Sequence, residues 1–324
     1  MNNAIAQTIK QLRIRRGLSQ EALADILGVS TQAVSKWECG RAYPDILTLP
    51  KIASFFRISI DALFQGIIEE DDAGVLPETM PYLEQNRSSW DGVAQTEWHG
   101  TVLPQYGPFT PGEEDLRLLG SLDNKAVLEL ACGSGSSLLY AAQKGARELW
   151  GLDLSQGQIA AAKALLTRNG VEANLFTSPM EMNPGIPLGH FDVVYSIYGL
   201  GWSLDLPKTI RLCSDYLKRG GVLIFSWDNP LLPCLEYKDG SYILERSYVR
   251  ETRFNILKKG EQMSLMNWKL STYINSLAEA GLRVENLIEE SSGGDENAPW
   301  SDKWYSPHKA ALLHHTFVIK ARKE

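Results

Sequence analysis

Residues 128–137 read LELACGSGSS, an apolar run with one acid, Glu129, that passes into small residues and two glycines, Gly133 and Gly135. A buried strand ending in such a turn and entering a helix, here LLYAAQKG, offers free backbone N–H groups and a positive helix end to a ligand. A dinucleotide loop needs G-x-G-x-x-G, and the third glycine position holds Leu138. That counts against a nicotinamide cofactor. Asp153 ends the next strand pattern, RELWGLDL, 20 residues beyond Gly133, where a carboxylate can accept both hydroxyls of a ribose.

Around this loop, short β-rich runs alternate with helical patterns: KAVLELA, RELWGLDL, ANLFT, FDVVYSIY, GGVLIFSW, LRVENLIEE and HTFVIKARK. Such alternation predicts a doubly wound α/β sheet. The chain has 324 residues, 44% apolar and 22% charged, which suits an ordinary globular protein of two domains. No run is long enough to cross a membrane and no signal segment opens the chain, so a soluble, cytoplasmic protein is expected. Cys39, Cys132, Cys213 and Cys234 show neither CxxC nor Cys/His ligand spacing, so no disulfide framework and no metal site is expected.

VLELACGSG resembles the V-L-D/E-x-G-x-G-x-G motif of class I S-adenosylmethionine-dependent methyltransferases, with Glu129 at the acidic position. LKRGGVLIFS at 217–226 resembles the turn before their fifth strand, and AGLRVENLIEE with TFVIKARK resembles their reversed-strand finish. The resemblance spans about residues 85–322. It implies a Rossmann-like sheet of seven strands with the last reversed, and S-adenosylmethionine as cofactor. It further implies Glu129, Ala131, Gly133 and Gly135 at the methionine part, Asp153 and Leu154 at the ribose, Ser178 and Met180 flanking the adenine, and Ser196 facing the sulfonium. Two positions depart from the pattern. Ala131 replaces the first glycine, which is tolerated if its φ is negative, and Ser178 stands where many relatives carry Asp. SSWDGVAQTEWHG at 88–100 resembles the leading segment of small-molecule methyltransferases, whose helix closes over the cofactor and would bring Trp90 and His99 to the site. Trp90 and Trp98 equally suit the apolar side of a packing helix.

A base is required only if the acceptor is a hydroxyl or a carbon acid. The candidates are His99, Tyr198, Asp228 and, less favoured, His190. The insertion at 228–268 carries Tyr237, Tyr242, Tyr248, Phe254 and Trp268, which suggests either an aromatic acceptor lid or a hairpin used in dimer packing. Adjacent His314 and His315 would point to opposite faces of the last strand and so do not read as a metal pair.

The front of the chain differs in charge and pattern. Residues 1–64 hold eight Lys/Arg against five acids, whereas the remainder holds 24 against 34. Only the head is suited to a polyanion. Short helical patterns run through it: Ser19 caps QEALADIL, Ser30 caps TQAVSKWE, and DILTLPKIASFF needs a bend or break at Pro50. The stretch LSQEALADILGVSTQAVSKWECGRAYPDILTLPKIASFF resembles the lambda-repressor (Cro/C1-type) helix-turn-helix domain. That resemblance implies double-stranded DNA as partner through residues 1–64, with Gln20 at phosphate and Thr31, Gln32, Ser35 and Lys36 at bases or backbone. It also implies a core of Ala24, Val34, Trp37, Ile46 and Leu49, and a homodimer. Use of the head as a docking module remains the alternative.

The expected organisation is a helix-turn-helix domain at 1–66, an acidic linker at 67–81 and a methyltransferase domain at 82–324. The expected function is methyl transfer to a small molecule by a protein that also regulates transcription. The competing reading is a regulator whose methyltransferase-like body senses cofactor or metabolite without turnover. A DNA methyltransferase is disfavoured because strand four runs into SIYG rather than (D/N/S)-P-P-(Y/F), and because the body is acidic.

Overall fold

The computed structural model describes residues 4–15, 18–56, 60–65, 79–94 and 102–324. They fall into two compact units, Met1–Met80 and Pro81–Glu324. Most of the expected linker lies outside the described residues, and its last two residues, Met80 and Pro81, already belong to a helix.

The first unit contains α1 (Ala4–Arg15), α2 (Gln20–Leu27), α3 (Thr31–Glu38), α4 (Thr48–Phe56) and α5 (Ile60–Gln65). Ser19 Oγ accepts from the N–H of Ala22 at 3.0 Å and Ser30 Oγ from that of Ala33 at 3.2 Å, so each satisfies an otherwise orphaned helix donor. Ile9, Leu23, Val34, Ile52, Phe56 and Leu63 form the buried core. The buried Glu38 carboxylate is held by Arg13 Nε at 2.5 Å and by Gln20 Nε2 at 2.8 Å, which ties α1, α2 and α3 together.

Two expectations for this unit are corrected. Ile46 is 81% exposed rather than core, because it lies in the turn before α4. Pro50 neither bends nor breaks a helix: Asp45 accepts the N–H groups of Leu47 and Thr48, α4 starts at Thr48, and Pro50 falls in the first turn, where no intrahelical N–H is missed.

The second unit opens with α6 (Met80–Ala94) and the short α7 (Glu113–Leu116), followed by β1 (Ala126–Leu130), α8 (Ser136–Gln143), β2 (Glu148–Asp153), α9 (Gln156–Arg168) and β3 (Asn174–Thr177). Next come β4 (Phe191–Ser196), α10 (Leu206–Tyr216), β5 (Leu217–Asp228), the inserted strands β6 (Leu235–Lys238), β7 (Ser241–Leu244), β8 (Arg253–Lys258) and β9 (Glu261–Met266), and then α11 (Leu270–Glu279), β10 (Leu282–Ile288), α12 (Pro307–Leu312) and β11 (Thr316–Lys323). Seven strands form one sheet in the order β10-β11-β5-β4-β1-β2-β3, with β11 antiparallel to both neighbours and the rest parallel. This is the expected seven-stranded sheet with its last strand reversed.

Every residue of β1 is buried. Ala126, Leu128 and Leu130 face the layer holding Ile210 of α10 and Leu277 of α11, and Val127 faces the layer holding Leu138 of α8. Period-two alternation puts Glu129 on the α8 side, so the one acid in the strand is forced into the interior. The insertion forms two antiparallel hairpins, β6–β7 and β8–β9. The second docks on α6: the Asn86 amide donates to Ser264 O at 2.8 Å and accepts from Ser264 N at 2.7 Å, and Ser89 Oγ donates to Gln262 O. Among the described residues no helix is long and apolar enough to cross a membrane.

Candidate active site

The C-terminal ends of β1, β2 and β4 converge on a cavity of about 500 Å³. Glu129, Ala131, Gly133, Asp153, Leu154, Ser178 and Met180 all line it, and so does Trp90 from α6. Asp153 is positioned by the backbone: Oδ2 accepts the Gly133 N–H and Oδ1 the Ser155 N–H, both at 2.9 Å. Burial nevertheless pushes its carboxyl up to about 6, against the opposing pull of those two N–H bonds. Burial likewise drives the Glu129 carboxyl well above the usual range, and its Oε2 has no hydrogen-bond partner among the described residues.

Three of the residues expected here are corrected. Gly135 does not line the cavity: at φ +81° it begins α8, and a Cβ there would lie 2.9 Å from Ala162 Cβ of α9, so its function is close helix packing. Ser196 is fully buried and donates to Leu130 O at 3.0 Å, stitching β4 to β1; Ile197, Tyr198 and Gly199 line the cavity instead. Ala131 has φ +53°, not a negative φ, so an alanine holds a left-handed backbone that favours glycine, at a cost of about 1 kcal/mol.

α6 forms one wall. Its Asp91 accepts Ser155 Oγ at 2.6 Å and the Gly157 N–H at 2.9 Å, pinning α6 to the start of α9 and holding Trp90 edge-on to Trp202 at 5.1 Å. Although it sits in the WD pair beside Trp90, Asp91 carried no separate signal in the sequence. Glu181, also unanticipated, lines the cavity and accepts the Leu204 N–H at 2.7 Å, bracing the turn that carries Trp202.

A second cavity, of about 240 Å³, shares Tyr198, Trp202 and Lys258 with the first. Its walls are largely aromatic: Trp227, Phe254, Trp268, Tyr273, Trp304 and Tyr305. Asp228, at the end of β5, is its carboxylate. It accepts from the Tyr198 hydroxyl, from Tyr305 Oη at 2.9 Å and from Trp304 Nε1 at 3.3 Å; burial pushes its carboxyl up to about 6 despite these donors. Tyr198 is itself driven far above the ordinary phenol range, first by burial and then by the Asp228 charge. It is therefore a donor to Asp228 and a poor base. Gly201 matters to this wall because a Cβ there would lie 2.0 Å from the Trp227 ring.

The remaining expected residues are placed as follows. His99 lies outside the described residues. His190 pairs with Glu148 at 2.7 Å at the opposite end of the strands, which removes it as a base at either cavity. Phe254 and Trp268 of the insertion face the second cavity, whereas Tyr237 and Tyr242 pack with Trp300 and Tyr248 accepts the Leu270 N–H. The insertion thus forms two hairpins, and residues from it wall the second cavity. In the first unit Thr31, Gln32 and Lys36 are exposed along α3 and Ser35 is half-buried, whereas the Gln20 amide is committed to Glu38 rather than free for phosphate.

A helix-turn-helix family model matches residues 9–63 and a methyltransferase-domain model matches residues 127–221. A Methanocaldococcus jannaschii protein named "Putative protein N5-glutamine methyltransferase" is 30% identical over 183 residues, covering 55% of this chain and 82% of that protein. The chain belongs to the S-adenosylmethionine-dependent methyltransferases, with a helix-turn-helix domain at its front. An uncharacterised Haemophilus influenzae protein is 28% identical over 64% of this chain and 85% of its own length. A crystal structure of a "putative S-adenosylmethionine dependent methyltransferase" from Listeria monocytogenes shares the fold of this methyltransferase at TM-score 0.54 and 24% identity, covering 65% of this chain and 97% of the other. At the front, the HTH-type transcriptional activator BcrR of Enterococcus faecalis is 45% identical over 60 residues, 18% of this chain and 29% of that regulator.

S-adenosylmethionine is the cofactor of this family, and the first cavity suits it. The partnerless Glu129 Oε2 would offer an acceptor to the ammonium, Asp153 has carboxylate lone pairs beyond those used by the backbone that would be open to the ribose beside Leu154, and Met180 would offer apolar surface to the adenine.

Proposed function

We propose that this methyltransferase moves a methyl group to a small molecule held in the aromatic cavity, and that its helix-turn-helix unit binds double-stranded DNA. The observation that carries the first part is the shared wall of Tyr198, Trp202 and Lys258 between the two cavities. In-line transfer requires donor and acceptor to meet in a site that excludes water, and two adjoining cavities separated by a few side chains satisfy that need. The cofactor, when bound, supplies an already activated methyl group. The protein's residues align the partners and hold a proton: Asp228, poised near 6 and fed by Tyr198 and Tyr305, is the group suited to accept it. The test is methyl transfer from labelled cofactor to an acceptor panel by the purified full chain. Tight cofactor binding without turnover on any acceptor would overturn this reading in favour of a sensor.

The DNA part rests on the exposed Thr31, Gln32 and Lys36 of α3, which provide donors for base edges and phosphate. Gln32→Ala with Lys36→Ala is expected to abolish specific DNA binding in a fluorescence-anisotropy titration, and unchanged affinity would refute it. A cytoplasmic homodimer is part of the same proposal, because helix-turn-helix heads read two-fold sites as dimers.

A further inference from the structure

Lys258, the last residue of β8, borders both cavities. Its Nζ lies 4.7 Å from the centre of the Trp90 ring and 5.5 Å from that of Trp202. No side-chain hydrogen bond or ion pair of its Nζ is found among the described residues, so this half-buried lysine brings its ammonium to the junction with its donors free. On another wall of the same cavity stands Asp228, with Tyr198, Tyr305 and Trp304 donating to it. The titratable groups facing the acceptor volume are therefore one ammonium, one carboxylate and the phenols of Tyr198, Tyr273 and Tyr305. Lys259 adds a second positive charge nearby, since it lowers the Lys258 pKa alongside burial while Asp228 raises it.

We propose that Lys258 holds the anionic oxygen of the acceptor, and that the acceptor is a flat phenol or enol methylated on oxygen. This rests on the methyltransferase reading above and names its substrate class. Four arguments support it. Rings from Trp202, Trp227, Phe254 and Trp304 offer faces and edges to a planar molecule, and about 240 Å³ admits a single small ring system. A cationic amine is disfavoured, because at about 5 Å from an ammonium it meets a repulsion of roughly 3 kcal/mol at an effective dielectric of about 20. A carboxylic acid is already ionised at neutral pH and would leave the Asp228 network without a task. An aliphatic alcohol is too weak an acid for a carboxylate poised near 6, whereas a phenol or enol beside a fixed ammonium is within reach.

The balance is simple. The acceptor O–H proton passes to an Asp228 carboxylate oxygen, directly or through the Tyr198 hydroxyl. The oxygen lone pair forms the new O–CH3 bond as the CH3–S bond breaks, and the electron pair of that bond goes to sulfur, turning sulfonium into thioether. Asp228 then releases its proton to solvent. Lys258 takes no proton; it lowers the energy of the oxyanion next to the methyl group.

The deciding experiment uses the cofactor-free full chain and 4-nitrophenol, whose anion absorbs visible light. Titration of the bound probe against pH is expected to show its pKa lowered in the wild type, with about tenfold more anion than in free solution at the same pH. Lys258→Arg should keep that shift and Lys258→Met should abolish it, with far-UV circular dichroism verifying that both are folded. Failure of the wild type to bind the probe, an unshifted bound probe, or an unchanged shift in Lys258→Met would each overturn the proposal. A second arm separates it from the reading it rests on. Turnover of primary amines but not of phenols would overturn the oxygen acceptor while leaving methyl transfer intact. Absence of turnover on every acceptor would overturn methyl transfer, and the nitrophenol titration would still decide the anion site.

Discussion

The two adjoining cavities are built by different means. The floor of the cofactor cleft is assembled from the ends of β1 and β2 and the turns that follow, within residues 129–154, with α6, the turn after β3 and the end of β4 as further walls, and backbone N–H groups position its key carboxylate. The acceptor cavity gathers side chains from residues 198 to 305, brought together by β5, the β8–β9 hairpin and the segment before α12. Backbone geometry repeats wherever the same fold forms, whereas side-chain walls can be exchanged one residue at a time. The cleft therefore records the family, and on the proposed function the second cavity would record the substrate.

This contrast predicts that substitutions at residues lining only one cavity leave the other's binding intact. The largest effect is expected from Asp228→Asn: methyl transfer should fall by about 10²–10⁴-fold, the usual range for a lost general base, while calorimetry finds cofactor affinity unchanged. A parallel loss of cofactor affinity would break the separation. In the cleft, Asp153→Asn should weaken cofactor binding by about 10–100-fold, from roughly 1.5–3 kcal/mol for hydrogen bonds to a charged group.

A pH series sharpens the same point. With Asp153 raised to about 6, the ionised form that would accept ribose hydroxyls is lost as pH falls through that value, so cofactor affinity should drop below pH about 6 in the wild type and stay flat in Asp153→Asn. The stability of the cofactor-free protein runs the other way. A carboxyl whose folded pKa is raised binds its proton more tightly in the folded state, so its contribution is present below the unfolded value of about 3.9 and is lost as pH rises through about 6.

Smaller effects follow. Trp304→Ala should raise acceptor KM about 3–10-fold, the worth of one aromatic contact, without touching cofactor affinity. Ala131→Gly should stabilise the fold by about 0.5–1 kcal/mol, because glycine relieves the positive φ but adds unfolded-state entropy. A lower melting temperature in that variant would show that the alanine methyl packs better than its backbone conformation suggests.

Much of the cleft was legible because its residues are close in sequence and its strand alternation is strict: Gly133 and Asp153 stand at a telling spacing, and the family resemblance of the loop adds Glu129. Ser196 and Gly135 misled for a related reason. Both lie in the right segment, but one residue of register on β4 turns a side chain from cavity to sheet, and the start of α8 turns a glycine from ligand to helix contact. Lys258, Trp304 and Tyr305 gave no sequence signal, because a lysine at a strand end and aromatics in a loop look the same whether they face solvent or a site.

The sequence by itself determined the alternation of strands and helices, the glycine loop with its two carboxylates, and the capped helices of the basic head, since these depend on local spacing, backbone preference and side-chain periodicity. Only the tertiary structure decided which residues line the second cavity. Those contacts join segments about a hundred residues apart, and a lone ammonium opposite a carboxylate acquires its chemistry only when the fold removes water from around both.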